Sequence, residues 1–186
     1  LHADTDGAAG FDLVAVTGDV ADHGLPVEYR RAAAAMSTLT APVNAAPGNH
    51  DSDLGFHAGL GRIEPGGNVI STSRVVRIAE WAHIFADSNA GTMAVDPATG
   101  AMVDAEDRLH RNGALGPAEV ERLVGLHDAT DSDHVFVWVH HPPGTHVGIM
   151  KNAPYAEEFA GLAARLPKLR GIGACHTHVP EIYDFD

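Results

Sequence analysis

Four short apolar segments of this sequence each run into polar side chains of the kind that bind metal ions. The segments are residues 11–17, 41–46, 135–139 and 169–174, and an Asp, Asn or His follows each of them within three residues. Short apolar runs that stop in this way are typical of buried parallel strands. Because side chains that follow parallel strands meet at the carboxyl edge of a sheet, the pattern predicts an α/β fold with one site at that edge.

The first two segments and the residues between them predict a βαβ unit. Pro26 suits the first turn of a helix, and Glu28 close behind it also favours a helix start. The predicted helix continues to about Leu39. A strand, a helix and a second strand in this order place both polar endings at the same edge of a parallel sheet.

The middle of the chain is less regular. Residues 52–67 are rich in glycine and turn residues, and we expect them to form a loop near the site. Residues 68–78 and 81–86 predict the two strands of a hairpin. A further helix is predicted to begin at Gly116, and another over residues 155–166.

The polar endings offer donors for metal ions. Asp19 supplies a carboxylate, Asn49 an amide oxygen and His140 an imidazole. His176 and His178 are two residues apart, so in an extended segment they point the same way and one could serve each of two ions. Imidazole and amide ligands suit Zn, Fe, Mn or Ni better than Ca.

Several neighbouring residues have both a structural and a functional interpretation. Of the adjacent pair His140 and His141, the first comes directly off the strand and is the predicted ligand, while His141 is expected to line the pocket. Asp22 and His23 are explained as well by a solvated turn as by the site. Cys175 is interpreted as structural.

The charge of the chain limits its partners. The formal net charge is −13, and 13 histidines stand against 12 Lys plus Arg. Such a chain repels a phosphate backbone, so nucleic-acid polymers are not expected as partners. A small anionic substrate would need positive charge from metal ions. Two divalent ions about 3.5–4 Å apart neutralise a phosphate ester and activate water, and a bridging carboxylate such as Asp19 could hold them.

The length and composition fit one soluble domain, residues 1–186, with one substantial core. No apolar run is long enough to cross a bilayer, so a membrane partner is not expected. The single cysteine, Cys175, fits a reducing compartment and predicts a cytoplasmic location. Because the chain begins at Leu1 and stops at Asp186, it is interpreted as a piece trimmed at both ends.

The order and spacing of the polar motifs resemble those of a known family. The motifs are Gly18-Asp19, Gly48-Asn49-His50-Asp51, His140 and His176-Thr177-His178, and together they resemble the calcineurin-like metallophosphoesterases. Residues 18–24, followed by Pro26, Glu28 and Tyr29, look most like the bacterial class III cyclic-nucleotide phosphodiesterase branch. The resemblance implies a four-layer α/β/β/α sandwich with a dinuclear metal centre.

The resemblance also implies which residues bind the two metal ions, expected to be Mn, Fe or Zn. Asp19 would bridge both ions. Asn49, His140 and His176 would complete one site, and His178 would belong to the other. His50 would lie near the scissile phosphate and stabilise or protonate the leaving oxygen. Asp51 would not touch the substrate but would orient the ring of His50.

The implied reaction is that of a hydrolase acting on phosphoric esters, with a small-molecule phosphate ester as its partner. A hydroxide bound to metal would attack phosphorus in line, and His50 would assist the departing oxygen. A phosphodiester is the expected substrate. The sequence is also compatible with a homodimer.

One motif of the family is missing from the sequence. In the family, the first strand carries Asp-x-His, and both side chains bind the same ion as His178. In this sequence His2 could be the last residue of such a motif only if an Asp preceded Leu1. Too few residues separate His2 from Phe11 for a helical crossover, so we expect the first strand and helix to be absent. The alternative function is therefore a non-catalytic metal-binding or regulatory relative that lacks this motif.

Overall fold

The computed structural model describes residues 10–51, 53–60, 70–71, 74–95, 102–104, 113–143, 146–147, 150–151 and 153–178. The helices are α1 (Pro26–Met36), α2 (Asp53–Leu60), α3 (Gly116–Asp128) and α4 (Ala153–Ala163), with a 3-10 helix at Ala90–Thr92. The strands are β1 (Val14–Thr17), β2 (Val43–Ala46), β3 (Ile70–Ser71), β4 (Val75–Ile78), β5 (Trp81–Phe85), β6 (Met93–Val95), β7 (Met102–Asp104), β8 (His134–Trp138), β9 (His146–Val147), β10 (Met150–Lys151) and β11 (Leu169–Gly173). No helix in these ranges has both the length and the apolar character needed to cross a membrane.

Two sheets carry the strands that position the site. The first is parallel throughout, in the order β1-β2-β3, with Val14 opposite Val43 and Thr17 opposite Ala46. The second has the order β11-β8-β5-β4 and is parallel except for β4, which pairs antiparallel with β5. Among the described residues, β1 pairs with β2 alone.

Helices α1 and α2 cover one face of the first sheet. Val43 and Ala45 are alternate residues of β2 and point to this face, where they pack with Tyr29 of α1 and with Phe56 and Leu60 of α2. All five side chains are buried. Burial of each large side chain contributes about 1.5–3 kcal/mol, so this cluster holds α1 and α2 on the sheet.

Helices α3 and α4 cover the second sheet in the same way. Ile84 of β5 and Val135 and Val137 of β8 pack against Leu123 of α3 and Phe159 of α4. None of these five side chains is exposed to solvent. The strand residues that alternate with them point to the opposite face, as the pleat of a strand requires.

The two sheets meet at the carboxyl ends of β1, β8 and β11. Thr17, which ends β1, contacts both His140 after β8 and Cys175 after β11. Since each sheet carries its helices on its outer face, the order of the layers is α/β/β/α. The predicted four-layer sandwich is confirmed, and the polar strand endings come to one edge, as expected.

The prediction of a loop over residues 52–67 is wrong for its first half, which forms α2. The helix forms despite two glycines because Phe56 and Leu60, four residues apart, share one face and are buried. Gly59 allows α2 to approach α1, since a side chain at this position would collide with Tyr29. Residues 61–67 lie outside the described residues.

The predicted hairpin is confirmed in part. β4 and β5 pair antiparallel, with Ile78 opposite Trp81. The first part of the expected strand belongs elsewhere, because Ile70–Ser71 pairs parallel with β2 in the other sheet. Residues 68–69 and 72–73 lie outside the described residues.

Candidate metal centre

The loop after β1 brings Asp19 to the carboxyl edge through two unusual backbone conformations. Gly18 has φ +94° and Asp19 has φ +52°. A Cβ on Gly18 would lie 2.5 Å from Nδ1 of His140 and 2.7 Å from Cα of Gly48. Only glycine can therefore occupy position 18, because the loops that follow β1 and β2 pack directly against each other and against His140.

Donor atoms of three other strand endings converge on the ring of His140. Its Nε2 lies 2.9 Å from Oδ1 of Asn49, 3.1 Å from Nδ1 of His176 and 3.3 Å from Oδ2 of Asp19. His140 and Asn49 are buried, and Asp19 and His176 are partly exposed at the rim. The structure thus brings together four of the five metal ligands predicted from the sequence.

The protonation of the His140 ring shows why these atoms suit a cation. Its Nδ1 lies 2.8 Å from the backbone carbonyl of Thr17, and because a carbonyl only accepts, Nδ1 donates its hydrogen there. In the neutral ring Nε2 then carries a lone pair and faces the oxygens of Asn49 and Asp19, which also carry lone pairs. Three acceptors this close repel one another unless positive charge lies among them, and either a second proton on His140 or a metal ion supplies that charge. The donor set therefore fits a metal ion.

The local electrostatics keep two of the donors in the form that binds metal. Burial raises the pKa of Asp19, but the hydrogen bond and charge of His140 in its protonated form, together with the N–H of His50, outweigh it, so the pKa is lowered to about 2. Burial and the neighbouring His140 lower the pKa of His176 to about 4. At neutral pH the carboxylate is ionised and the imidazole of His176 is neutral, which is the state a metal ligand requires.

His178 lies close enough to His176 for its charge to lower the pKa of His176. The side chain of His178 is exposed, and its backbone has φ +56°. In the described part of the chain, no group of three His, Cys, Asp or Glu ligand atoms within 4.8 Å of one another includes His178. The binding of a second ion by His178 remains a prediction. Cys175 is exposed beside these histidines, with Sγ 2.8 Å from the hydroxyl oxygen of Thr17.

The ring of His50 is oriented by Asp22. Nδ1 of His50 lies 2.8 Å from the backbone carbonyl of Asp22 and 3.4 Å from its Oδ1. Since the carbonyl only accepts, Nδ1 donates and Nε2 is left for a ligand. The side chain of His50 is 30% exposed, and its backbone N–H donates to Oδ1 of Asp19 at 3.1 Å.

The contact between Asp22 and the ring of His50 is not apparent from the sequence. A solvated turn explained Asp22 equally well, because its distance from His50 in space depends on how the loops after β1 and β2 pack. The signal that could have identified it is its position three residues after Asp19 in the same polar loop.

Asp51 holds the same two loops together through their backbones. Its carboxylate accepts hydrogen bonds from the N–H groups of Gly48, Val20 and Ala21, at 2.9, 3.2 and 2.9 Å. Burial raises the pKa of Asp51, although these three N–H groups act against the rise. Asp22 contacts the His50 ring and Asp51 fixes the loop that carries it, while the predicted contact of Asp51 with the ring remains a prediction.

His141, which the sequence assigned to the pocket lining, lies with its ligand atom close to those of His140 and His176. It is fully buried beneath His140 and His176, with ring centroids 4.8 and 4.4 Å away respectively. Its Nδ1 lies 2.7 Å from the hydroxyl oxygen of Ser88, in the loop after β5. Ligand atoms of His140, His141 and His176 lie within 4.8 Å of one another.

Comparison with known families agrees with this geometry. The family model described as calcineurin-like phosphoesterase matches residues 4–180, which is nearly the whole chain. No curated protein matches the chain.

Proposed function

The chain belongs to the calcineurin-like phosphoesterase family, and on that premise we propose that it is a phosphodiesterase with a dinuclear metal centre. Family membership itself supports a metal-dependent hydrolase of phosphoric esters. The preference for a diester, the number of ions and their identity as Mn, Fe or Zn belong to the proposal.

The observation that carries the proposal is the convergence of the Asn49 and Asp19 oxygens on Nε2 of His140. Its Nε2 faces Asn49 and Asp19 at 2.9 and 3.3 Å, and no hydrogen lies between these acceptors when the ring is neutral. Asp19 has a second carboxylate oxygen, which accepts the N–H of His50 at 3.1 Å. Such a carboxylate suits a ligand shared by two ions, the second of which would use His178.

Divalent ions bound at such a site neutralise the charge of a phosphate ester and activate water for attack on phosphorus. The chain's own contribution is the placement of His50. Its Nδ1 donates to the carbonyl of Asp22, which points Nε2 away from Asp22, and a ring that carries a proton on both nitrogens can then donate the Nε2 proton to the leaving oxygen. Because the carboxylate of Asp22 lies 3.4 Å from Nδ1, it stabilises the ring when both nitrogens are protonated.

The proposed substrate is a small-molecule phosphate ester, and the resemblance of residues 18–29 to the class III cyclic-nucleotide phosphodiesterases makes cyclic nucleotides the first class to test. The net charge of −13 argues against polymers of nucleic acid, since their backbones are repelled along the whole contact. A small diester presents one negative charge, which the metal site can neutralise.

The proposal is tested with two chromogenic esters, bis(4-nitrophenyl) phosphate and 4-nitrophenyl phosphate. We expect faster hydrolysis of the diester, loss of activity with EDTA and recovery with Mn²⁺. His140→Ala should be inactive, and His127→Ala serves as its control because His127 is a buried histidine of α3 that contacts Asp128 and Lys168. Hydrolysis that continues in EDTA would refute the proposal.

A second candidate is a metal-binding relative without catalysis. The exposed position of His178, outside any ligand group in the described ranges, favours a single complete site. In that case the chain would bind close to one equivalent of metal and hydrolyse neither ester. Metal analysis of the dialysed protein, together with the two assays, distinguishes the candidates.

A further inference from the structure

Ser88 and His141 form a buried polar pair next to the metal site. Both side chains are fully buried. The hydroxyl oxygen of Ser88 lies 2.7 Å from Nδ1 of His141 and accepts the backbone N–H of the same residue at 3.3 Å. One hydroxyl therefore fixes both the ring and the backbone of His141.

The ring of His141 packs against the rings of His140 and His176, the two proposed metal-binding imidazoles. It packs edge-on against His140, with an interplanar angle of 83°, and at 52° against His176. His176 needs such support, because it is only partly buried and its backbone has φ +66°. A non-glycine residue keeps this conformation only when its surroundings hold it there.

The pair is itself held on three sides. The carbonyl of Ser88 accepts the N–H of Ala114 at 2.7 Å, and the carbonyl of His141 accepts the hydroxyl of Tyr155 at 3.1 Å. Gly113 lies so close that a Cβ there would be 2.8 Å from Cβ of His141. His141 can therefore move very little without displacing its neighbours.

The loop that carries Ser88 is anchored to α3 by hydrogen bonds to two charged side chains of that helix. Glu119 is buried, accepts the N–H of Asp87 at 2.8 Å and pairs with Arg122. Arg122 in turn donates to the carbonyl of Phe85 at 3.2 Å. The end of β5 and the start of the loop are thereby fixed relative to the helix.

We propose that Ser88 and His141 are a positioning pair that holds the rings of His140 and His176 so that Nε2 and Nδ1 converge on one metal ion. The inference rests on the proposed function, in that a metal binds there. Residues that orient metal ligands from behind typically contribute about 10–100-fold to metal affinity. The pair itself touches neither substrate nor the reacting atoms.

The test is a titration of the metal-free chain with Co²⁺, followed by its visible absorption. Ser88→Ala removes the hydroxyl, and His141→Phe keeps a ring but removes the nitrogen that contacts Ser88. His127→Phe is the matched control, because His127 is also a buried histidine with two polar partners, Asp128 and the N–H of Lys168. Thermal unfolding of each metal-free variant reports stability separately.

We expect both site variants to bind Co²⁺ about 10–100-fold more weakly than the wild type while His127→Phe keeps wild-type affinity. Wild-type affinity in Ser88→Ala or in His141→Phe would overturn the inference. An equal loss in His127→Phe would also overturn it, because general destabilisation would then explain the effect. Failure of the wild type to bind Co²⁺ would instead refute the proposed function, and this inference with it.

Discussion

The backbone carbonyl of Thr17 accepts a hydrogen bond from Nδ1 of His140 at 2.8 Å, across 123 residues of sequence. Thr17 ends β1 of the first sheet, and His140 follows β8 of the second. The bond joins the two sheets at their carboxyl ends, and it also decides which nitrogen of His140 is left for a metal ion. The architecture and the chemistry of the site thus depend on the same contact.

The first prediction concerns metal binding and stability. A ligand that binds only the folded chain stabilises it by about 2.7 kcal/mol at a concentration 100 times its Kd. We therefore expect Mn²⁺ or Zn²⁺ to raise the melting temperature of the dialysed chain, and EDTA to reverse the rise. His140→Ala should abolish the rise in melting temperature, because the substitution removes the nitrogen on which the other donors converge. Differential scanning fluorimetry measures the melting temperature.

The control for that experiment is His127→Ala, which should lower the melting temperature itself but keep the metal-induced rise. A rise of wild-type size in His140→Ala would contradict the assigned site.

The second prediction separates catalysis from metal binding. His50→Ala should lower kcat for bis(4-nitrophenyl) phosphate by about 10²–10⁴-fold, as expected for loss of a general acid, and leave metal affinity unchanged. Asp22→Asn should cause a smaller fall, because the backbone carbonyl of Asp22 still holds Nδ1 at 2.8 Å. Steady-state kinetics at saturating Mn²⁺ provide the measurement.

His57→Ala is the control for the kinetic series, since His57 is an exposed histidine of α2. Full activity in His50→Ala would remove His50 from the mechanism.

The third prediction concerns the carboxylate of Asp51. Asp51→Ala leaves the N–H groups of Gly48, Val20 and Ala21 without this acceptor in a buried position. We expect the free energy of unfolding to fall by about 3 kcal/mol, since each buried donor left unpaired costs about 1–3 kcal/mol. Urea unfolding measures the loss. Asp131→Ala, at a side chain that is 95% exposed, should change it by no more than about 0.5 kcal/mol.

The fourth prediction is a pH dependence of stability at His83. Burial lowers the pKa of His83 below its ordinary value of 6.5, and Nδ1 accepts the indole N–H of Trp138 at 3.1 Å. As the pH falls, the unfolded chain takes up a proton at His83 before the folded chain does. The contribution of His83 to the free energy of unfolding is therefore full above pH 6.5 and is lost as the pH falls through the pKa of the folded state.

Urea unfolding of the wild type and of His83→Gln at several pH values between about 4 and 8 tests this sign. The glutamine keeps an acceptor for Trp138 and does not titrate, so its stability should fall less on acidification. Parallel pH curves for the two proteins would exclude a contribution from His83.

Much of the site could be predicted from local sequence because its donors lie at the ends of short apolar strands. Asp19, Asn49, His140 and His176 all follow such strands, and parallel strands bring their ends to one edge. The partner of His50 could not be predicted, since Asp22 reaches it from the loop of another strand. The pairing of Ile70–Ser71 could not be predicted either. This strand pairs with β2, a distant segment, so the sequence around it carries no sign of which sheet it joins.

The sequence by itself determined the strand endings, the residue types at the site and the family to which the chain belongs. It could do so because strand formation and ligand chemistry depend on residues close together in the chain. Only the tertiary structure decided that His141 is buried behind its neighbours, that Ser88 holds it, and that the carbonyl of Thr17 sets the tautomer of His140. These contacts join different sheets and loops, and packing between distant segments selects them.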